Sequence, residues 1–372
     1  MKNCWNKLIL GAMLLSPFDA FADINIAVMT PMGGDYKYFS EELIDGAKIA
    51  VDEINNRGGL EGKKINLIPI DDPCDDALSL SAAQMMALNK SDENKIHMIL
   101  GPYCGNSADQ IANLLAKARI IQIHPTGVSK ARYKTPQPGV IRFTGFKEEQ
   151  VKELLRFVRS HYPKQNLAVV YDGSNPDMAS VVGAFREEYS RPDSEGSLIL
   201  SDYGLPGVTL ENAAAKVTDG SASLVYIMGS SDQIIELADR LKNMDDELIL
   251  FADRYQLYKK FARKIGRLSE NSYLLSMPPL TSNPNFASSL VRLRLWGIEP
   301  EGLMPYGYLS VKMWAGMVKG AKSFNYDKLL RQLDGKTIET GWDNVVYTGG
   351  VPDKSLPYII YRIKDGEYAQ VY

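Results

Sequence analysis

Three histidines (His97, His124 and His161), four clustered carboxylates (Asp71, Asp72, Asp75 and Asp76) and Ser107 are the side chains best placed to do chemistry. The histidines show no metal-ligand spacing such as H-E-x-x-H. His97 opens a strand and His161 ends a helix, where a solvated or capping imidazole is the ordinary reading. His124 ends a strand ahead of Pro125, at the border of any cleft, and is expected to be partly buried and bonded to backbone. Gly105-Asn106-Ser107-Ala108-Asp109 comes nearest to the G-x-S-x-G nucleophile elbow, but Asp109 replaces the second glycine and the sharp turn loses its fit. A hydrolase pairing Ser107 with His124 is the enzymatic alternative, and inertness toward acyl-modifying probes disposes of it.

The carboxylate cluster could serve as a hard-cation site or an acid/base pair. Asp75 and Asp76 precede a helix, however, where carboxylates cap free amides and complement the helix dipole. A structural role is expected and no metal. There is no G-x-x-x-x-G-K-[ST] loop, and the turn after the first strand offers only Gly33 and Gly34 in place of G-x-G-x-x-G. Neither a nucleotide nor any other cofactor is expected, and the chain is read as a binder and not an enzyme.

The elements that must position such residues alternate between short apolar β-branched runs and helical periods, the sequence form of βαβ units with parallel sheets. Strands are expected at Ile24 to Met29, Ile65 to Ile70, His97 to Leu100, Ile120 to His124, Leu167 to Tyr171, Leu198 to Ser201, Leu224 to Met228 and Leu248 to Ala252. In the first unit Leu43, Ile44, Ala47, Ala50, Val51 and Ile54 recur at helical spacing, and Gly58-Gly59 stop that helix. Val140 to Thr144 and Tyr273 to Ser276, with prolines close by, read as crossings between two runs of βα units. Helices at Pro284 to Trp296 and Tyr306 to Ala321 follow, and a turn-rich tail with Thr348-Gly349-Gly350 and Asp365-Gly366 reads as a hairpin. The fold class is α/β, with two similar lobes; ligands of open α/β sheets bind beyond the carboxyl ends of the strands, so facing lobes make a cleft.

At 372 residues, 45% hydrophobic and 23% charged, the chain has the length for two domains, and a net charge of −3 gives no basic field for nucleic acid or anionic lipid. Lys2 and Lys7, the apolar run Leu8 to Leu15 and the triplet Ala20-Phe21-Ala22 form a secretory signal pattern. The run is far short of the roughly 20 residues of a spanning helix. Cleavage is expected after Ala22, into the periplasm. Cys4 lies in the removed segment, and the remaining pair, Cys74 and Cys104, reads as a disulfide in an oxidising compartment.

Ordered motifs then carry a resemblance. They are Ile24 to Met29, Gly46-Ala47 with Ile54-Asn55, the Gly58-Gly59 and Gly62 turn, Asp71-Asp72-Pro73-Cys74-Asp75, Gly101-Pro102-Tyr103-Cys104 and His124-Pro125-Thr126-Gly127. In this order and spacing the chain resembles the type I periplasmic binding proteins of ABC transporters, in the leucine/isoleucine/valine-binding branch. The resemblance implies two Rossmann-like lobes joined by three hinge strands, with the ligand cleft between them and closure on the ligand. It also pairs cysteines at the places of Cys74 and Cys104. The lobes are expected at 23–143 plus 277–347 and at 144–276 plus 348–372, after a signal peptide at 1–22.

The resemblance also implies a ligand set. Phe39 takes the place of the aromatic residue that packs on the ligand side chain. Gly105 stands where the family has a carboxylate-binding serine, leaving the amides of Gly105, Asn106 and Ser107 at a helix start. Val128 replaces a threonine, with Thr126 and Ser129 as substitutes in the same loop, and Ser230 replaces a tyrosine. The acidic residue that meets a ligand ammonium falls at Asp253 or Arg254, and the two place opposite charges in the cleft. Tyr103, Gly127 and Ser174 complete the expected set. The expected partners are a small polar solute (an amino acid or a related carboxylate or amide) and a membrane permease, with the protein a monomer. An exported receptor that signals to a partner protein is the alternative.

Overall fold

Residues 24–30 are buried at every position. A strand with no solvent face belongs in the middle of a parallel sheet covered on both sides, and the computed structural model places it there. It describes residues 23–372 apart from 90, 92–93, 105–107, 126, 133–137, 144, 192–194, 254–264, 334, 349, 355 and 365–366. The expected leader, 1–22, lies outside the described residues, as do Thr144, Gly349, Asp365 and Gly366.

The first sheet contains β1 (Ile24–Thr30), β2 (Ile65–Asp71), β3 (Ile96–Leu100), β4 (Ile121–His124) and β5 (Val140–Arg142), all parallel in the order β2-β1-β3-β4-β5. The helices α1 (Lys37–Asn56), α2 (Asp76–Leu88) and α3 (Ala108–Lys117) connect the first four strands. The second sheet repeats the plan. Its strands β6 (Leu167–Tyr171), β7 (Leu198–Asp202), β8 (Leu224–Ile227), β9 (Ile249–Asp253) and β10 (Ser272–Ser276) run parallel in the order β7-β6-β8-β9-β10. This is the first sheet's permutation again. Helix α4 (Glu149–His161) leads into it, and α5 (Pro176–Tyr189), α6 (Leu210–Asp219) and α7 (Ser231–Met244) link its strands.

The chain then returns to the first lobe through α8 (Ala287–Leu295), α9 (Met304–Ala321) and α10 (Tyr326–Leu333), followed by a small antiparallel sheet of β11 (Thr337–Glu339), β12 (Asn344–Thr348) and β13 (Val351–Pro352). Arg142 N on β5 donates to Gly350 O at 3.1 Å and ties that sheet to the first. Finally β14 (Ile359–Lys364) lies antiparallel on β10 and forms a hairpin with β15 (Glu367–Gln370), as the turn-rich tail implies.

Helices α1 and α9 cross on one face of the first sheet. The crossing is possible because both meet at glycines: a Cβ on Gly46 would lie 2.0 Å from Met304 O, and one on Gly307 would lie 2.2 Å from Leu43 O. One hydrophobic core runs from this layer into the α4/α5 side of the second sheet, through Leu43, Trp314, Phe143, Leu154, Phe185 and Tyr226. Separate cores fill the α2/α3 side and the α6/α7 side.

Two readings change. Val140 to Thr144 and Tyr273 to Ser276, read as crossings, contain the fifth strand of each sheet, and the crossings follow them. A strand that closes one sheet while leading to the next is apolar on both faces, so its sequence does not reveal its partner. Helix α10 and the small sheet were not anticipated.

Candidate functional site

The carboxyl ends of both sets of parallel strands carry the loops that form two facing rims. On the first rim, the loop after β1 and the first turn of α1 bring Tyr36 and Phe39 beside Tyr103. The ring centroids of Tyr36 and Tyr103 are 5.8 Å apart, those of Tyr36 and Phe39 6.3 Å, and those of Phe39 and Tyr103 6.5 Å. Three rings in mutual contact make an apolar wall whose amphipathic tyrosine tips can still meet polar groups.

The acidic cluster builds this wall. Asp72, fully buried, accepts from Cys104 N at 2.9 Å and from the Ser79 hydroxyl at 2.5 Å. Asp75 caps α2 by accepting from Ala77 N and Leu78 N, and Asp71 accepts from Met32 N at 2.8 Å. Cys74 and Cys104 are bonded, with Cα atoms 5.0 Å apart. Tyr103 N donates to Met29 O at 3.2 Å, so the disulfide, the Asp72 carboxylate and this backbone bond hold the loop that presents Tyr103. Among the described residues no group of three His, Cys, Asp or Glu side chains could hold a metal ion.

His124 is buried at the floor. Gln122 Nε2 donates to Gly101 O at 3.0 Å and lies 3.0 Å from His124 Nε2. Gly127 and Val128 are also buried; Val128 packs with Ala108, Ala112 and Val140. Ser129 is buried and donates to Asp177 Oδ1 at 2.8 Å.

The second rim is acidic. Asp172 follows β6, Asp202 ends β7 and Asp253 ends β9. Asp202 Oδ1 accepts from Gly173 N at 2.7 Å and Gly204 N at 2.8 Å, and Asp172 Oδ1 accepts from Ser174 N at 2.9 Å and from its hydroxyl at 2.5 Å. The two loops need glycine here, since a Cβ on Gly173 would lie 2.0 Å from Asp202 Oδ2 and one on Gly204 would lie 2.0 Å from Asp172 Oδ1. Ser230 is the N-cap of α7, joined to Gln233 in a capping box, so its hydroxyl serves the helix. Asp253 is half-buried; burial first, and then its carboxylate, push the Tyr226 and Tyr358 hydroxyls well above the usual phenol range.

Tyr203, which the sequence reading passed over, donates to Met228 O at 2.9 Å. Burial raises its pKa, with Asp172, Asp202 and, from the opposite rim, Tyr36 adding to the rise. Their signal was a tyrosine beside glycine and aspartate in a loop that follows a strand, in Gly33-Gly34-Asp35-Tyr36 and Asp202-Tyr203-Gly204. Of the remaining expected residues, Gly105, Asn106, Ser107, Thr126 and Arg254 lie outside the described residues.

Known proteins share this fold. Residues 23–367 match the family model described as periplasmic binding protein. The Leu/Ile/Val-binding protein BraC3 of Rhizobium johnstonii is 27% identical over 366 residues, covering 96% of each chain. An amino acid binding protein of Pseudomonas aeruginosa is 22% identical over 362 residues, covering 95% of this chain and 93% of that one. Among solved structures, the leucine binding protein LivK of Thermotoga maritima superposes with a TM-score of 0.78 at 16% identity, covering 94% of this chain and 98% of the other. LivJ of Streptococcus pneumoniae, a branched-chain amino acid transporter substrate binding protein solved in complex with isoleucine, gives 0.76 at 18%, with 94% and 98% covered. At these identities the superpositions establish the fold: two Rossmann-like lobes of the type I class. Among the described residues no helix is long and apolar enough to cross a membrane. Matched from its first described strand almost to its last, the chain belongs to the periplasmic binding protein family, whose members bind solutes in the periplasm or outside the cell and are not enzymes.

Proposed function

We propose that this protein is the solute receptor of an ABC transporter, capturing an amino acid or a closely related small carboxylate or amide between its lobes and presenting the closed form to a membrane permease. The observation that carries the reading is the pairing of an aromatic wall, Tyr36, Phe39 and Tyr103, with an opposite rim that ends in Asp172, Asp202 and Asp253. An apolar side chain fits the first and an ammonium the second. In this proposal the backbone amides of Gly105, Asn106 and Ser107, with Thr126 and Gly127, hold the ligand carboxylate. Ser174 and Asp253 close from the other side, and Arg254 flanks them. Because relatives are named for leucine, isoleucine and valine, a branched-chain L-amino acid is the first ligand to try.

Residues 1–22 are removed on export in this reading. The lobes proposed are 23–143 plus 277–347 and 144–276 plus 348–372, with the last boundary moved past Pro352 because β13 pairs with β12. A thermal-shift screen of amino acids, amides and small carboxylates tests the proposal. A ligand at about 100 times its dissociation constant stabilises the folded state by roughly 2.7 kcal/mol. Failure of every amino acid and every small carboxylate or amide to raise Tm would refute it.

A further inference from the structure

Residues 128–130 belong by chain position to the first lobe, yet their polar groups are bound to the connection and helix of the second. Val128 forms a parallel bridge with Phe146, and Lys147 N donates to Val128 O at 3.0 Å. Lys130 N donates to Glu148 Oε1 at 2.9 Å, and the same oxygen accepts from the Ser180 hydroxyl on α5. The Ser129 hydroxyl donates to Asp177 Oδ1 at 2.8 Å, and Lys147 Nζ donates to Asp177 Oδ2 at 3.1 Å. Asn175, the N-cap of α5, fixes Asp177 in turn by accepting from its amide at 3.0 Å.

Ser129 is 0% exposed and Asp177 6%. Burying the Asp177 carboxylate beside a part-buried ammonium carries a desolvation penalty that their mutual attraction offsets only in part. Apolar side chains could fill this space at similar stability, so the polar set is better explained by the geometry it imposes. Closure of two lobes requires a place where they touch and do not slide. The loop after β4 is anchored at such a place, beside the first crossing of the chain.

We propose that Asp177 is a positioning residue for ligand capture: by holding Ser129 it pins the loop after β4, one lip of the cleft, to the helix that starts at the opposite lip, and the lobes turn about this contact. Ser129 then acts through the loop and not by touching ligand. This inference rests on the two-lobed receptor reading.

The test uses the full exported chain with nitroxide labels at Lys48→Cys on α1 and Lys216→Cys on α6, both exposed positions, since the native cysteines are bonded to each other. Pulsed EPR without ligand reads the interlobe distance distribution. Ser129→Ala and Asp177→Ala should each widen it at least twofold, whereas Asp177→Asn, whose side-chain oxygen still accepts from Ser129, should keep the wild-type width. If Asp177→Ala does not fold, Ser129→Ala carries the test alone. A Ser129→Ala distribution as narrow as wild type overturns the proposal, and so does an Asp177→Asn distribution as wide as that of an Ala variant. In a second arm with L-leucine, Ser129→Ala should raise the dissociation rate about tenfold and change the association rate less than twofold, since the lips still meet the ligand but no longer hold one geometry. Equal loss in both rates counts against the pivot. A wild-type protein that ignores L-leucine speaks to ligand identity alone and leaves the distance test standing.

Discussion

The rings of Phe39 and Tyr103 lie 6.5 Å apart, centroid to centroid, with their planes tilted by only 13°. One comes from α1 and the other from the loop closed by the Cys74–Cys104 disulfide, so the wall depends on two separate elements meeting. Burying a phenyl group against a ligand contributes roughly 1.5 to 3 kcal/mol. Phe39→Ala should therefore weaken binding about ten- to a hundredfold by calorimetry, with the far-ultraviolet circular dichroism of the folded protein unchanged. Affinity within twofold of wild type would place the ligand elsewhere.

Glu53, 2% exposed, anchors α1 to α9 and α8. It accepts from Tyr308 at 2.5 Å, Arg292 at 2.8 Å and Lys312 at 3.1 Å, and lies 3.2 Å from Arg57. Burial works against its ionised form, but the hydrogen bonds from Tyr308 and Lys312 and the neighbouring cations outweigh it and hold the carboxyl below its usual range. Burial and the bond to Glu53 push the Tyr308 hydroxyl up to about 12. A depressed carboxyl pKa contributes stability that is present above the unfolded value near 4.3 and is lost as pH falls through the folded value. Glu53→Gln should be less stable at pH 7 and lose less stability than wild type between pH 5 and 3 in urea melts. Parallel pH profiles for the two proteins would contradict the assignment.

Helix propensity alone favours Ala over Gly by about 1 kcal/mol within a helix. At Gly46 the crossing of α1 and α9 should reverse that sign, because the added methyl meets the Met304 carbonyl. Gly46→Ala is expected to lower the unfolding free energy by about 1 to 3 kcal/mol, the range for overpacking. A stabilised variant would mean that the helices do not approach so closely.

The disulfide closes a separation of 30 residues. In the chain-entropy model such a loop stabilises by roughly 3.5 kcal/mol. The double variant Cys74→Ser, Cys104→Ser should lose about that much in equilibrium unfolding, and non-reducing peptide mapping of the exported protein should recover the linked pair. Two free thiols there would contradict the pairing.

The strands of both sheets were legible because strands covered on both faces read as continuous apolar runs, as in Ile24–Thr30 and Leu167–Tyr171. The short strands Thr337–Glu339 and Val351–Pro352 were not, since three or two residues carry no period. Phe39 and Tyr103, expected together from motif order, do lie side by side. The roles of Ser129 and Ser230 could not be placed the same way, because a hydroxyl's partner decides its use. For Ser129 that partner, Asp177, is 48 residues away and invisible to local pattern. For Ser230 the clue was present: Ser230 and Gln233 have the spacing of a capping box. Tyr36 and Tyr203 were missed because a single tyrosine after a strand looks like any loop residue until the opposing lobe is in place.

In the proposed function an amino-acid-like ligand is taken between an aromatic and an acidic rim. Calorimetric titration of the exported protein, unfolded and refolded to strip any bound solute, with L-leucine, L-isoleucine and L-valine addresses it most directly. Saturable one-to-one binding of at least one of them is expected, weakened ten- to a hundredfold in Phe39→Ala and abolished when the ligand's amino group is acetylated. Binding that survives both changes undiminished would contradict this placement of the ligand.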